Sequence, residues 1–245
     1  MEQVPSGIKG LDELLGGGIP HGRCVLVVGS PGSGKTTLSM QFLHSGAIHD
    51  EPSLYITLDE KPEHLKENLS IFGWGLDELE RKGVLLLYDA TFLRKAKRGV
   101  SASEREGGLS IRESTLEGLV QTVQNIVREE GIQRVVVDPI TSLMLHYESL
   151  SKRRRAVLTF FDALIETGCT SIVTTELRTG ILKRKFQLEE FLSQGVILLH
   201  TLIHGGNVVR AIQIEKMRGI AHDTQLRPYQ IGKSGIEVFQ KDRVF

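Results

Sequence analysis

Cys24-Val25-Leu26-Val27-Val28-Gly29-Ser30-Pro31-Gly32-Ser33-Gly34-Lys35-Thr36 is the stretch that decides the fold. Its first five residues are continuously apolar, the pattern of a strand buried on both faces in a parallel sheet. Its last eight fit G-x-x-x-x-G-K-[ST], placed between that strand and an expected helix. Glycines let the backbone curl so that its amides face an anion, and the helix N-terminus adds the positive end of its dipole. Lys35 adds a point charge for the β- and γ-phosphates, and the Thr36 hydroxyl can ligate Mg²⁺. The cradle suits a nucleoside triphosphate, with Ser30, Pro31, Gly32, Ser33, Gly34, Lys35, Thr36 and Thr37 as its binding residues. Lys35 is expected to face solvent until the nucleotide arrives. A chance glycine turn is the bland alternative, and strand, loop and helix standing in register weigh against it.

Outward from this segment, strand-like and helix-like stretches alternate. Leu116 to Glu130 carries apolar residues at spacings of three and four, an amphipathic helix. Arg134-Val135-Val136-Val137-Asp138 reads as a strand, a helix rich in Phe160, Phe161, Leu164 and Ile165 follows, and Ser171 to Thr175 is a further strand. In the last third, Val196 to Thr201, Val208 to Glu215 and Ile236 to Phe239 are strand-like, and Gly205-Gly206-Asn207 suits a turn. The expected fold is α/β, a mostly parallel central sheet flanked by helices and extended by antiparallel C-terminal strands, all within one domain over residues 1–245. Arg94 to Gly108 is polar and irregular, and reads as a loop.

Composition narrows the class. The 245 residues are 40% hydrophobic, enough for one sizeable core, and 30 Lys plus Arg balance 30 Asp plus Glu. Net charge therefore supplies no steering toward nucleic acid or acidic membrane. Cys24 and Cys169 lie in or beside apolar runs and read as small buried hydrophobes, which favours a reducing, cytoplasmic location. No apolar segment approaches membrane-spanning length. Trp74 and the eight histidines show no metal-cage spacing and read as core or surface residues.

Two further elements point to chemistry. Asp138 ends an aliphatic strand, where a carboxylate holds Mg²⁺ or its water in phosphate-loop proteins. Capping the turn before Pro139 is the structural alternative. Leu54-Tyr55-Ile56-Thr57-Leu58 ends in Asp59 and Glu60, and a strand-end carboxylate beside the loop can position an attacking water. Glu60 is the first candidate and Asp59 the second, against a plain helix start at Pro62.

With these residues in view, the chain resembles the KaiC-type branch of the RecA/RadA superfamily over nearly its full length. The resemblance is carried by the entry segment Gly7 to Pro20, by Tyr55-Ile56-Thr57-Leu58-Asp59-Glu60, by Phe72-Gly73-Trp74 and by Val137-Asp138-Pro139-Ile140-Thr141-Ser142. Thr174-Thr175-Glu176 and Lys216-Met217-Arg218-Gly219 with His222 complete it. It implies a hexameric ring that hydrolyses ATP with Mg²⁺ between subunits, Lys216, Arg218 and His222 serving a neighbour's nucleotide. Lys35 and Arg218 join Glu60 and Asp59 as the catalytic set, and Thr36 and Asp138 form the metal side. The family places Glu where Asp59 stands, so looser water positioning and slow turnover are expected. One ATPase domain stands where the clock protein has two. The clock protein's phosphorylated Ser/Thr pair has no counterpart in Glu189-Glu190-Phe191-Leu192-Ser193-Gln194, so timekeeping is not implied.

Basic runs at 94–98, 152–155 and 183–185 allow a polyanion reading, as in a DNA-binding recombination or repair ATPase, but solvated faces are favoured. A nucleotide-gated scaffold that docks a protein client with little turnover is the other alternative.

Overall fold

The structure is a computed structural model describing residues 1–95, 116–144, 147, 149–177 and 187–244. Its centre is a nine-stranded sheet. Strands β3 (Cys24–Gly29), β4 (Ser53–Thr57), β5 (Leu85–Asp89), β6 (Arg134–Asp138), β7 (Thr170–Glu176) and β8 (Gly195–His204) pair in parallel in the order β8-β3-β7-β6-β4-β5. Beyond β8 the sheet continues antiparallel through β9 (Asn207–Met217), β10 (Arg227–Gly232) and β11 (Gly235–Val238). The short pair β1 (Gln3–Val4) and β2 (Ile19–Pro20) stands apart, flanking helix α1 (Leu11–Leu14).

Each central strand is buried on both sides, and its side chains divide by the two-residue period of a strand. Val25 and Val27 of β3 enter one core with Leu38, Phe42 and Tyr55. Cys24, Leu26 and Val28 enter the other with Val123, Phe160 and Phe161. Helices α2 (Lys35–Ala47), α3 (Pro62–Leu69) and α4 (Leu76–Arg81) cover the first face. The second is covered by α5 (Phe92–Lys95), α6 (Leu116–Glu130), α7 (Thr141–Met144) and α8 (Leu150–Glu166). The five-residue α9 (Leu188–Leu192) leads into β8. Among the described residues, no helix is long and apolar enough to cross a membrane.

The expected α/β architecture and its antiparallel extension are as the sequence implies. Cys24 and Cys169 are buried thiols, and Trp74 is a core residue stacked between His44 and Phe72. The β8–β9 turn is narrower than expected, because Gly205 and Gly206 take the positive φ values of 57° and 80° while Asn207 already pairs with His204. Of Arg94 to Gly108, only Arg94 and Lys95 are described, ending α5; the remainder lies outside the described residues, as does the 183–185 run.

One buried cation fastens the N-terminal segment to this frame. Arg134, 2% exposed, pairs with Glu51 at 2.6 Å and donates through Nη1 to the carbonyls of Pro5 and Phe42, each at 2.9 Å. Its guanidinium also lies 4.8 Å from the Phe42 ring centroid.

Candidate nucleotide site

The site forms at the carboxyl ends of the parallel strands, where open α/β sheets bind ligands. Gly29 closes β3, and residues 30–34 curl to the head of α2. Gly34, the N-cap of α2, takes φ 89°, and a Cβ there would come within 2.8 Å of Ile231 Cδ1. The positive φ favours glycine at this position, and any side chain would also have to displace the end of Ile231. The loop is braced from beneath by Tyr229, whose hydroxyl donates to the Ser33 carbonyl at 2.5 Å, and the Ser30 hydroxyl lies 3.4 Å from that of Thr201. Pro31 and Gly32 are exposed on its rim, and Thr37 is half-buried in the first turn of α2.

Lys35 departs from expectation. Its ammonium is folded back onto the loop, donating to the carbonyls of Gly29 at 3.0 Å and Ser30 at 3.2 Å, and the residue is half-buried instead of facing solvent. A bare ammonium at a curled loop takes the nearest free acceptors, which here are main-chain oxygens. Burial lowers its pKa, and the negative charges of Asp138, Glu176 and Asp59 oppose that shift.

Asp138 is the hub. Buried at the end of β6, it accepts from Thr36 Oγ1 at 2.7 Å and from the Tyr55 hydroxyl at 2.5 Å through Oδ2, and from Thr174 Oγ1 through Oδ1. Three hydroxyls from α2, β4 and β7 thus compensate one buried carboxylate. Burial raises the Tyr55 phenol well above its ordinary value, and the adjacent Asp138 charge adds to the effect.

Asp59 and Glu60 follow β4 and face different neighbours. Asp59 accepts from the Ser142 hydroxyl, and its charge reaches Lys35. Glu60 accepts from Asn68 Nδ2 at 3.0 Å, and its main-chain carbonyl takes the Thr57 hydroxyl at 2.5 Å. Burial raises the Glu60 pKa, with Asp138 and Asp59 adding, while Asn68 and His64 oppose. The Thr141 hydroxyl accepts from the Glu176 amide at 3.2 Å and lies 3.1 Å from that of Thr175, tying the start of α7 to the end of β7.

Lys216, Arg218 and His222 lie elsewhere. Register places Met217 opposite Gly195, the first residue of β8, and the Arg218 amide donates to Gln194, whose own amide donates to Cys24 at the start of β3. That is the amino edge of the parallel strands, opposite the phosphate loop. A bulge between Val196 and Ile197 shifts the β8–β9 register just before Lys216. Lys216 and Arg218 share a face, with Met217 buried between them. Lys216 Nζ donates to the Glu190 carbonyl at 2.8 Å; burial lowers its pKa, and so does Arg218. Arg218 is exposed and His222 half-buried.

The family described as "ATPase: KaiC" matches residues 4–243. The chain belongs to the KaiC ATPase family. It is 34% identical over 242 residues to the circadian clock oscillator protein KaiC 1 of a Synechocystis strain, covering 98% of this chain and 44% of that protein. It is 32% identical over 242 residues to KaiC of Parasynechococcus marenigrum, covering 98% of this chain and 45% of that one. The chain therefore spans about half the length of these KaiC relatives. A solved KaiC-like protein of Pyrococcus horikoshii superposes with a TM-score of 0.81 at 31% identity, covering 97% of this chain and 99% of its own. A phosphate-loop, nucleotide-binding fold of KaiC type is thus established.

Sequence reasoning gave no role to Tyr55, Ser142, Thr174 or Tyr229. A tyrosine inside an aliphatic buried strand was the available signal, because such a hydroxyl needs a partner.

Proposed function

We propose that residues 1–245 act as one ATP-binding and ATP-hydrolysing unit, working between neighbouring copies in a hexameric ring. The observation that carries this reading is the Thr36–Asp138 contact of 2.7 Å at the base of a glycine loop heading α2. A hydroxyl and a carboxylate, both hard oxygen donors, fit Mg²⁺, which takes few protein ligands and completes its shell with water and phosphate. Among the described residues no cluster of three His, Cys, Asp or Glu forms an all-protein cage, so this pair is the better fit. When bound, Mg²⁺ would neutralise charge on the β- and γ-phosphates.

The chain's own groups do the remainder. Loop amides and the α2 N-terminus bind the phosphates. Lys35 exchanges the Gly29 and Ser30 carbonyls for phosphate oxygens, and Thr36 and Asp138 hold the cation. Glu60, with Asp59 as the alternative, orients a water and takes its proton. Lys216 and Arg218 lie at the edge of the sheet opposite their own loop, which supports their acting on a neighbour's nucleotide, and His222 would join them there.

Lys35→Ala tests the reading. Calorimetry in Mg²⁺ buffer is expected to lose tight ATP binding with the melting curve retained, and phosphate release, measured with and without DNA, is expected to disappear. Unchanged ATP affinity would remove Lys35 from the site. Release that requires DNA would move the protein to the recombination class, and ATP-dependent assembly without release would make it a scaffold.

A further inference from the structure

Tyr55 lies in the middle of β4, fully buried among Leu38, Phe42 and Val136. Its ring serves that core, and a phenylalanine would fill the same space. The hydroxyl serves something else. Register sets Tyr55 opposite Val136 and Thr57 opposite Asp138, so the phenol reaches diagonally across two residues to the carboxylate closing the next strand. There it donates to Oδ2 at 2.5 Å, the same oxygen that Thr36 Oγ1 approaches at 2.7 Å. Thr174 holds Oδ1 from the other side.

Two donors converging on one oxygen, with the second oxygen fixed separately, leave Asp138 a single orientation. Without the phenol, the carboxylate keeps Thr36 and Thr174 but gains freedom to rotate about its terminal torsion, which is intrinsically broad. Partners that orient a metal ligand typically govern metal affinity by a factor of 10 to 100.

We propose that Tyr55 is a positioning residue for the divalent-cation subsite, fixing Asp138 so that Thr36 and Asp138 present one preformed pair of oxygens. The assignment rests on the Mg-ATP reading above. It separates two properties of nucleotide binding. The phosphate cradle depends on loop amides and Lys35 and is indifferent to Tyr55, whereas the gain in affinity that Mg²⁺ confers depends on it.

The experiment titrates Mg²⁺ into the protein with a fluorescent ATP analogue, comparing the parent with Tyr55→Phe, and records analogue affinity in EDTA on the same samples. Binding stoichiometry in EDTA counts folded sites, so partial unfolding cannot imitate a shifted midpoint. For Tyr55→Phe the expected result is a Mg²⁺ midpoint raised about tenfold with the EDTA affinity unchanged. A midpoint within about twofold of the parent's overturns the assignment, as does an equal loss of affinity with and without Mg²⁺, which a merely structural tyrosine would give. If the parent itself gains no affinity from Mg²⁺, the Mg-ATP reading fails first, and the two failures are distinguished by the parent curve alone.

Discussion

Removal of Arg218 is expected to abolish turnover without emptying the nucleotide site, because under the proposed reading its guanidinium would serve a neighbour's reaction. The phosphate position is marked by Lys35 Nζ, 3.0 Å from the Gly29 carbonyl. Arg218 hangs from Gln194, level with Cys24. Five strand steps from Cys24 to Gly29 at about 3.3 Å each make roughly 17 Å along the sheet. The lateral offset from β3 to β9 adds two inter-strand spacings, about 10 Å. An extended arginine side chain spans roughly 7 Å by its bond lengths, so Arg218 cannot reach its own phosphates. An arginine delivered to a transferring phosphoryl group contributes about 10³ to 10⁵ in rate. Arg218→Ala should therefore lose at least about 10³ in kcat, and the parent's specific activity should rise steeply with protein concentration. The sharper assay mixes Arg218→Ala with Glu60→Gln. Each variant alone is expected to be nearly inactive, but some interfaces of a mixed ring would join an intact Glu60 to a neighbour's intact Arg218. Phosphate release should return on mixing. If light scattering shows mixed oligomers with ATP bound and no release returns, Arg218 does not act across the interface.

Three further outcomes follow from the geometry. Glu60→Gln should keep ATP binding and slow hydrolysis by roughly 10² to 10⁴, measured beside Asp59→Asn; loss in the Asp59 variant alone reverses the ranking of the two. Because the folded environment raises the Glu60 pKa from its ordinary 4.5, protonation removes the base at higher pH than usual, so turnover should fall as pH drops through that elevated value. A single-turnover pH profile checks this, and an acid limb unchanged in a residually active Glu60→Gln refutes it. Arg134→Met should destabilise the fold by about 3–5 kcal/mol by leaving Glu51 and two carbonyls without their partner. At about 2–4 °C per kcal/mol for a chain of this size, calorimetry should read a melting point lower by roughly 10 °C; a drop under about 3 °C would show that the surroundings relax around the loss.

What could be read from sequence was local. Strand, loop and helix lie within 24 consecutive residues from Cys24 to Ala47, and Asp138 stands out because one carboxylate ends an aliphatic run. β10 was missed for a physical reason: Arg227 to Gly232 buries only Tyr229, so no alternation marks it, and it is a strand because β9 and β11 pair with it. β5, Leu85 to Asp89, is a short leucine-rich run that periodicity alone cannot separate from helix. Arg134 was legible as a strand residue and not as a clamp, since Pro5, Phe42 and Glu51 come from segments distant in the chain.

The hydroxyls around Asp138 belong to the same non-local class, and their placement bears on rate. Tyr55 and Thr174 meet there because β4, β6 and β7 are adjacent and in one register, and Thr36 joins them from the first turn of α2. The proposed cation side would therefore be built into the sheet and the first turn of α2. The proposed water side differs: Asp59 and Glu60 stand just beyond β4, and the side-chain contacts there come from Ser142 on the short α7 and Asn68 on α3. A carboxylate held by short elements beyond the sheet tolerates more displacement than one anchored within it, and Asp59 is also a methylene shorter than Glu. If the proposed roles hold, precision would be concentrated on the cation side and reduced on the water side, and slow turnover with long nucleotide occupancy is the expected outcome.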